Sequence, residues 1–234
     1  MRFPWRYLMV AATLMAGALL LVACGGEGEE EAAGTGAPSG GFEIRNTSDY
    51  VARRGTQPVL YVLGEVVNNT ASNADFVRIN GTFLDAGGNV VETDFTYSCV
   101  EVLGPGDDSP FSIGLPDPSP DIAGYRLSVE GNATSEPVLS DLDISGVTTE
   151  LVSLHGLETF HVRGLLTNNS NTTYDFVEVC CALYNAAGDV IRRSTSFANP
   201  RMLAPGESGT FDCLRIVDGT PVDSHRLWVR GARE

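Results

Sequence analysis

The chain has 234 residues, with 30 acidic side chains against 15 basic ones, a formal net charge of −15, and arginine as its sole strong base because lysine is absent. A surface that acidic is a poor partner for nucleic acid or anionic lipid. Three histidines leave few routes to histidine-based catalysis.

In chain order, residues 1–23 read as a secretory signal. Arg2 and Arg6 flank the start of an uncharged apolar run from Tyr7 to Ala23, and small residues precede a cysteine in Leu21-Val22-Ala23-Cys24. That ending resembles a bacterial lipobox, which makes Cys24 the lipidated first residue of the mature chain and the membrane a partner through its lipid. An uncleaved spanning anchor is the competing reading of the same run. Either way the remainder is expected outside the cytoplasm, on the cell membrane or the outer membrane. Gly25 follows the cysteine, where lipoproteins retained at the inner membrane carry aspartate. Residues 24–41 then form an acidic, glycine-rich stretch with no bulky apolar side chain to bury, the composition of a flexible tether. Removing Arg2 and Arg6 leaves 13 basic against 30 acidic residues, a mature net of −17. The absence of lysine fits a GC-rich genome, and an acidic surface also suits high salt.

From residue 42 the chain repeats itself. Gly64, Asn68, Asn69, Asp75, Phe76, Val77, Gly88, Leu103, Pro105, Gly106 and Phe111 return as Gly164, Asn168, Asn169, Asp175, Phe176, Val177, Gly188, Leu203, Pro205, Gly206 and Phe211, one hundred residues later without a gap. A unit of that length is a domain rather than a solenoid repeat. Two tandem domains are therefore expected, 42–135 and 136–234, meeting near Asn132–Asp143, each long enough to bury its own core and fold independently.

Within each copy the apolar period is two. Leu60, Val62 and Val66 share one face, as do Phe160, Val162 and Leu166; the next segment places Val77, Ile79 and Phe83 inward, matched by Val177, Val179 and Leu183. Alternation of this kind marks half-buried strands. Asp85–Asn89 and Asn185–Asp189 read as hairpin loops with glycine at a positive-φ position, their Asx residues serving as turn formers rather than calcium ligands. Leu103-Gly104-Pro105-Gly106 and Leu203-Ala204-Pro205-Gly206 mark a second turn. Six or seven short strands per copy close most naturally into an antiparallel, immunoglobulin-like β-sandwich, so the expected class is all-β.

Cys99, Cys180, Cys181 and Cys213 are disulfide candidates in an exported chain. Cys181 lies on the inward face with Val179 and Leu183, and Cys213 shares a face with Phe211, so a bridge between these two would cross the second core. Cys180 points outward and meets Cys99 only if the two domains pack closely; Cys180 with Cys213 is the competing pairing.

Chemistry is sparse. His161 and His225 lie on opposite faces of their strands, His155 sits in a turn, and no third ligand stands at metal spacing. There is no G-x-S-x-G elbow. Asp75 and Asp175 are the duplicated acids and read as strand-entry residues. No cofactor, metal or catalytic group is indicated.

The strand ending in Gly and Asn-Asn, the strand ending Leu84-Asp85 or Leu183-Tyr184-Asn185, the glycine hairpin, and the Leu-x-Pro-Gly loop before Phe111 or Phe211 together resemble the FxLYD domain family, over Val59–Gly131 and Glu158–Gly231. Ala182-Leu183-Tyr184-Asn185 departs from the family pattern in its last residue. The resemblance implies a bacterial, exported, often lipid-anchored protein and carries over no catalytic residue. The expectation is a non-enzymatic envelope lipoprotein that binds a protein or glycan partner. The alternatives are a glycan-active envelope enzyme built on a carboxylate pair and a purely structural spacer.

Overall fold

The computed structural model describes residues 41–154 and 156–233. The signal segment 1–23, Cys24, the tether up to residue 40 and His155 lie outside the described residues.

The described chain is all-β. The first copy consists of β1 (Phe42–Arg54), β2 (Gln57–Asn68), β3 (Ala74–Leu84), β4 (Val90–Tyr97), β5 (Val102–Leu103), β6 (Asp108–Pro116) and β7 (Gly124–Ala133). The second consists of β8 (Leu142–Leu154), β9 (Leu157–Asn168), β10 (Tyr174–Tyr184), β11 (Val190–Phe197), β12 (Ser208–Ile216) and β13 (Ser224–Arg233). Apart from the two-residue β5, every strand begins one hundred residues before its counterpart. The place of β5 is taken by an isolated bridge between Tyr174 and Leu203.

All pairings among the described residues are antiparallel. In the first copy β1-β2-β6 form one sheet and β4-β3-β7, with β5 at the end of β3, the other. The second copy repeats this as β8-β9-β12 and β11-β10-β13. The inward sets expected from the alternation are the ones buried. Val62, Val66, Val77, Ile79, Phe83 and Phe111 make the first core, and Val162, Leu166, Val177, Val179, Leu183 and Phe211 the second. Each copy is therefore a β-sandwich around its own core. The chain between them is shorter than the composition suggests, because β7 runs to Ala133 and β8 starts at Leu142.

The duplicated polar and glycine positions are folding devices. The Asn68 amide, fully buried, donates to the carbonyls of Ser72 and Leu103 at 2.9 and 2.8 Å, and Asn168 repeats both bonds to Thr172 and Leu203 at 2.8 Å. Each thus ties the Leu-x-Pro-Gly loop to the end of a strand and satisfies carbonyls that would otherwise be orphaned in the interior. A Cβ on Gly64 would lie 2.7 Å from the Phe111 ring, and one on Gly164 2.8 Å from Phe211, so the glycines make room for the core phenylalanines.

Candidate functional site

The period-two pattern assigns the other face of β2 to solvent, but the structure buries it. Leu63 packs against Ala182, Tyr184 and Val190 of the second sandwich, with Tyr50 and Trp228 at its margin. The outer face of the β1-β2-β6 sheet is thus covered by the outer face of the β11-β10-β13 sheet. At the centre lies Glu65, 0% exposed. Its carboxylate accepts hydrogen bonds from Arg45 Nε at 3.1 Å, Asn46 Nδ2 at 2.7 Å, Arg226 Nη1 at 2.8 Å and the Tyr184 hydroxyl. Arg226 also pairs with Asp108 at 2.8 Å, and Trp228 Nε1 donates to the same carboxylate at 3.1 Å. A buried carboxylate is tolerable only when its charge and lone pairs are met in this way.

Burial, followed by the hydrogen bond to Glu65, pushes the Tyr184 phenol well above its ordinary value, and burial pushes Tyr125 up to about 12. Both phenols hold their protons more tightly in the folded chain than in the unfolded one. The stability they support is complete below the unfolded tyrosine value near 10 and falls as pH rises through the window above it. Urea midpoints are therefore expected to be flat from pH 8 to about 10 and to drop toward pH 12, and replacing both tyrosines with phenylalanine should flatten the drop.

The cysteines divide between interface and core. Cys180 points out of its sheet and forms a disulfide with Cys99 of the first sandwich, which is the pairing that requires close packing of the copies. The bridge considered between Cys181 and Cys213 is not made: both are free, buried thiols. The hydrogen bond with Cys213, and then burial, raise the Cys181 thiol far above its usual range, so the thiolate needed for exchange is suppressed. The pairing of Cys180 with Cys213 fails on direction, since Cys213 faces the core.

Exposed aromatic side chains stand apart from both cores at equivalent places in the two copies. β3 carries a bulge between Asp75 and Arg78, and β10 one between Asp175 and Glu178. Within them Phe76 and Phe176 adopt φ of 47° and 49° and remain 68% and 58% exposed. Bulky side chains rarely occupy the left-handed region, which costs about 1–2 kcal/mol per residue. Beside Phe176, Asp175 Oδ1 accepts the bulge amide at 2.7 Å. Phe76 meets Tyr97 edge-on at 6.5 Å, Tyr97 meets Phe95 at 5.9 Å, and the Arg78 guanidinium lies 3.9 Å above Phe95. In the second copy Phe197, also exposed, stands where the first has Tyr97 and is covered by Arg201 at 4.3 Å. Phe76 and Phe176, left exposed near these guanidinium-capped rings, are suited to stacking on a partner side chain or a sugar ring.

The two described histidines, His161 and His225, do not converge. His161 faces outward, 2.9 Å from Asp212, and Arg163 joins Asp212 at 2.9 Å and Glu150 at 2.6 Å. Burial works against the Asp212 carboxylate, but hydrogen bonds from Arg163 and His161 outweigh it and hold the group below the usual range. His225 lies in another sheet, its value lowered by burial. Among the described residues no cluster of three or more His, Cys, Asp or Glu could hold a metal ion. An open cleft of about 520 Å³ separates the Val100–Asp108 segment from β13, lined in part by Leu103, Leu139, Leu227 and Trp228. Asp49, a carboxyl raised by burial, does not line it.

No family model matches the chain. No curated protein matches it either. Among solved structures, it is similar to the crystal structure of red sea bream transglutaminase at 12% identity and a TM-score of 0.25, covering 82% of this chain and 30% of that one. It is also similar to the N-terminal CBM22-1-CBM22-2 tandem domain of Paenibacillus barcinonensis Xyn10C at 11% identity and a TM-score of 0.13, covering 83% of this chain and 86% of that one. At those TM-scores neither likeness bears on fold or activity.

Proposed function

We propose that the chain is a non-enzymatic binding module of the bacterial envelope, exported and anchored through lipid on Cys24, whose two FxLYD-like, immunoglobulin-like sandwiches engage a protein or glycan partner through their exposed aromatic side chains. The observation that carries this reading is the repeated bulge. Phe76 and Phe176 are costly to hold where they are, contribute little to either core, and recur at one position in both copies. Strain kept at an exposed aromatic twice over is the signature of a contact residue rather than a packing residue.

Glycine adopts the same backbone without steric strain, at an entropic cost of about 0.5–1 kcal/mol. Phe76→Gly with Phe176→Gly is therefore expected to leave stability within about 1 kcal/mol of the parent, relief of the left-handed strain offsetting the lost contact with Tyr97. Crosslinking in cells followed by mass spectrometry should return a reproducible partner with the parent chain and lose it with this variant. Capture that is unchanged by the double substitution would replace the binding module with a spacer.

A further inference from the structure

The duplication leaves one contact half-used at each end of the molecule. Within the chain, the outer face of β1-β2-β6 is covered by the outer face of β11-β10-β13. Their counterparts, the outer faces of β8-β9-β12 and of β4-β3-β7, are uncovered among the described residues. Val190 is 0% exposed in the internal contact whereas Val90, at the same position of the other copy, is 63% exposed; Glu65 is 0% exposed whereas Leu165 is 43% exposed. The uncovered β8-β9-β12 face also gains Leu214 and Ile216, both exposed, where the first copy has Gly114 and Pro116.

We propose that a second copy of this chain docks its β4-β3-β7 face onto the β8-β9-β12 face of the first, repeating between molecules the contact made within one. The pairs that would meet have changed together. Glu65 and Tyr184, hydrogen-bonded inside the chain, become Leu165 and Leu84, an acid and hydroxyl replaced by two apolar side chains. Asp108 and Trp228 become Ser208 and Ser128, so the carboxylate and the long indole donor are both replaced by short neutral hydroxyls. Cys99 and Cys180 become Asn199 and Asn80, which can bond through their amides without a covalent link. Ser48, which donates to the Val190 carbonyl, becomes Thr148 opposite Val90. Three positions do not transfer: Tyr50 under Arg192 becomes Glu150 opposite Glu92, with Arg163 already paired to Glu150 as the available counter-charge; Leu63, packed on Ala182 and Val190, becomes that Arg163; and Arg226, paired with Glu65 and Asp108, becomes Arg126 opposite Leu165 and Ser208.

Such a contact is heterologous, joining different faces, and so propagates head to tail instead of closing a dimer. Lacking the disulfide and the buried carboxylate cluster, it is reversible, and the net charge of −15 opposes it at low salt.

The test places a bridge where the internal one lies. Asn80→Cys and Asn199→Cys are introduced together into the full-length chain, which is exported, isolated in detergent at elevated salt and oxidised. The expected result is a ladder of disulfide-linked multimers on a non-reducing gel, at least tenfold above either single variant, collapsing on reduction. Leu165→Glu added to the pair should remove the ladder while leaving the melting temperature unchanged. No ladder from the double variant, or dimers equally abundant in a single variant, overturns the proposal, the second outcome indicating a two-fold contact instead. Should the added cysteines disturb folding, sedimentation of the unaltered chain decides: a mass that rises with concentration and is restored to monomer by Leu165→Glu supports the contact, and a constant monomer mass overturns it.

Discussion

Replacing Cys99 and Cys180 with serine is expected to lower stability by about 4 kcal/mol, the chain-entropy value for a closed loop of this size. The bridge spans a sequence separation of 81 residues and joins the two sandwiches, so its loss lets the unfolded chain expand across both. It also removes the sulfur on which Arg193 rests at 2.7 Å, leaving a largely buried guanidinium whose Nε already lacks a partner. Denaturant unfolding of the parent with and without reductant checks this: the reduced parent and the serine variant should share a midpoint well below that of the oxidised parent. Coincident midpoints for oxidised and reduced parent would sink the expectation.

The second large effect is expected at Glu65. Arg226→Met keeps most of the side-chain stem over Trp228 but leaves Glu65, fully buried, with Arg45 as its remaining cation. Breaking one arm of a buried ionic cluster costs about 3 kcal/mol, because an under-compensated charge stays out of water. Glu65→Leu combined with Tyr184→Leu makes the opposite change, removing acid and hydroxyl together and reproducing the apolar pair that the other copies of these positions carry. That variant should lie close to the parent, with Arg45 and Arg226 still held by Asp108. Equal losses for the two variants, read from urea midpoints, would show that the cluster stabilises by charge rather than merely satisfying it.

How much of this was legible in the sequence depended on which interactions are local. Alternation along a strand reports burial by the opposing sheet of the same sandwich, and it placed Val62, Val77 and Ile79 correctly. Hairpin glycines were equally readable: Gly88 and Gly188 sit at φ of 80° and 88°, as their turns require. Burial by a separate domain adds a second demand to the same strand. In β2 that demand was visible as the near-continuous apolar run Val59, Leu60, Val62, Leu63, Val66 and Val67, a pattern that means both faces are covered. Glu65 within that run concealed it, because an acidic residue normally marks solvent. The bulge at Phe76 leaves no period of its own. Its trace was the repeat of Asp-Phe-Val in both copies, where an exposed phenylalanine had no packing reason to recur. The Cys99–Cys180 bridge hinged on domain packing, which strand patterns do not encode.

Cys180 and Cys181 are neighbours on β10, yet one reaches across to the first sandwich and the other is sealed inside the second. Successive strand residues point to opposite sides, so a slip of β10 by a single residue would exchange them, turning Cys181 outward and Cys180 inward. Cys99 would then find a different sulfur. The pair works as a vernier on strand alignment. Oxidation to Cys99–Cys180 records that β10 has seated correctly against both its own core and its neighbour, whereas a chain trapped as Cys99–Cys181 carries a covalent mark of misalignment that proteolytic mapping can read long after the fold itself has been lost.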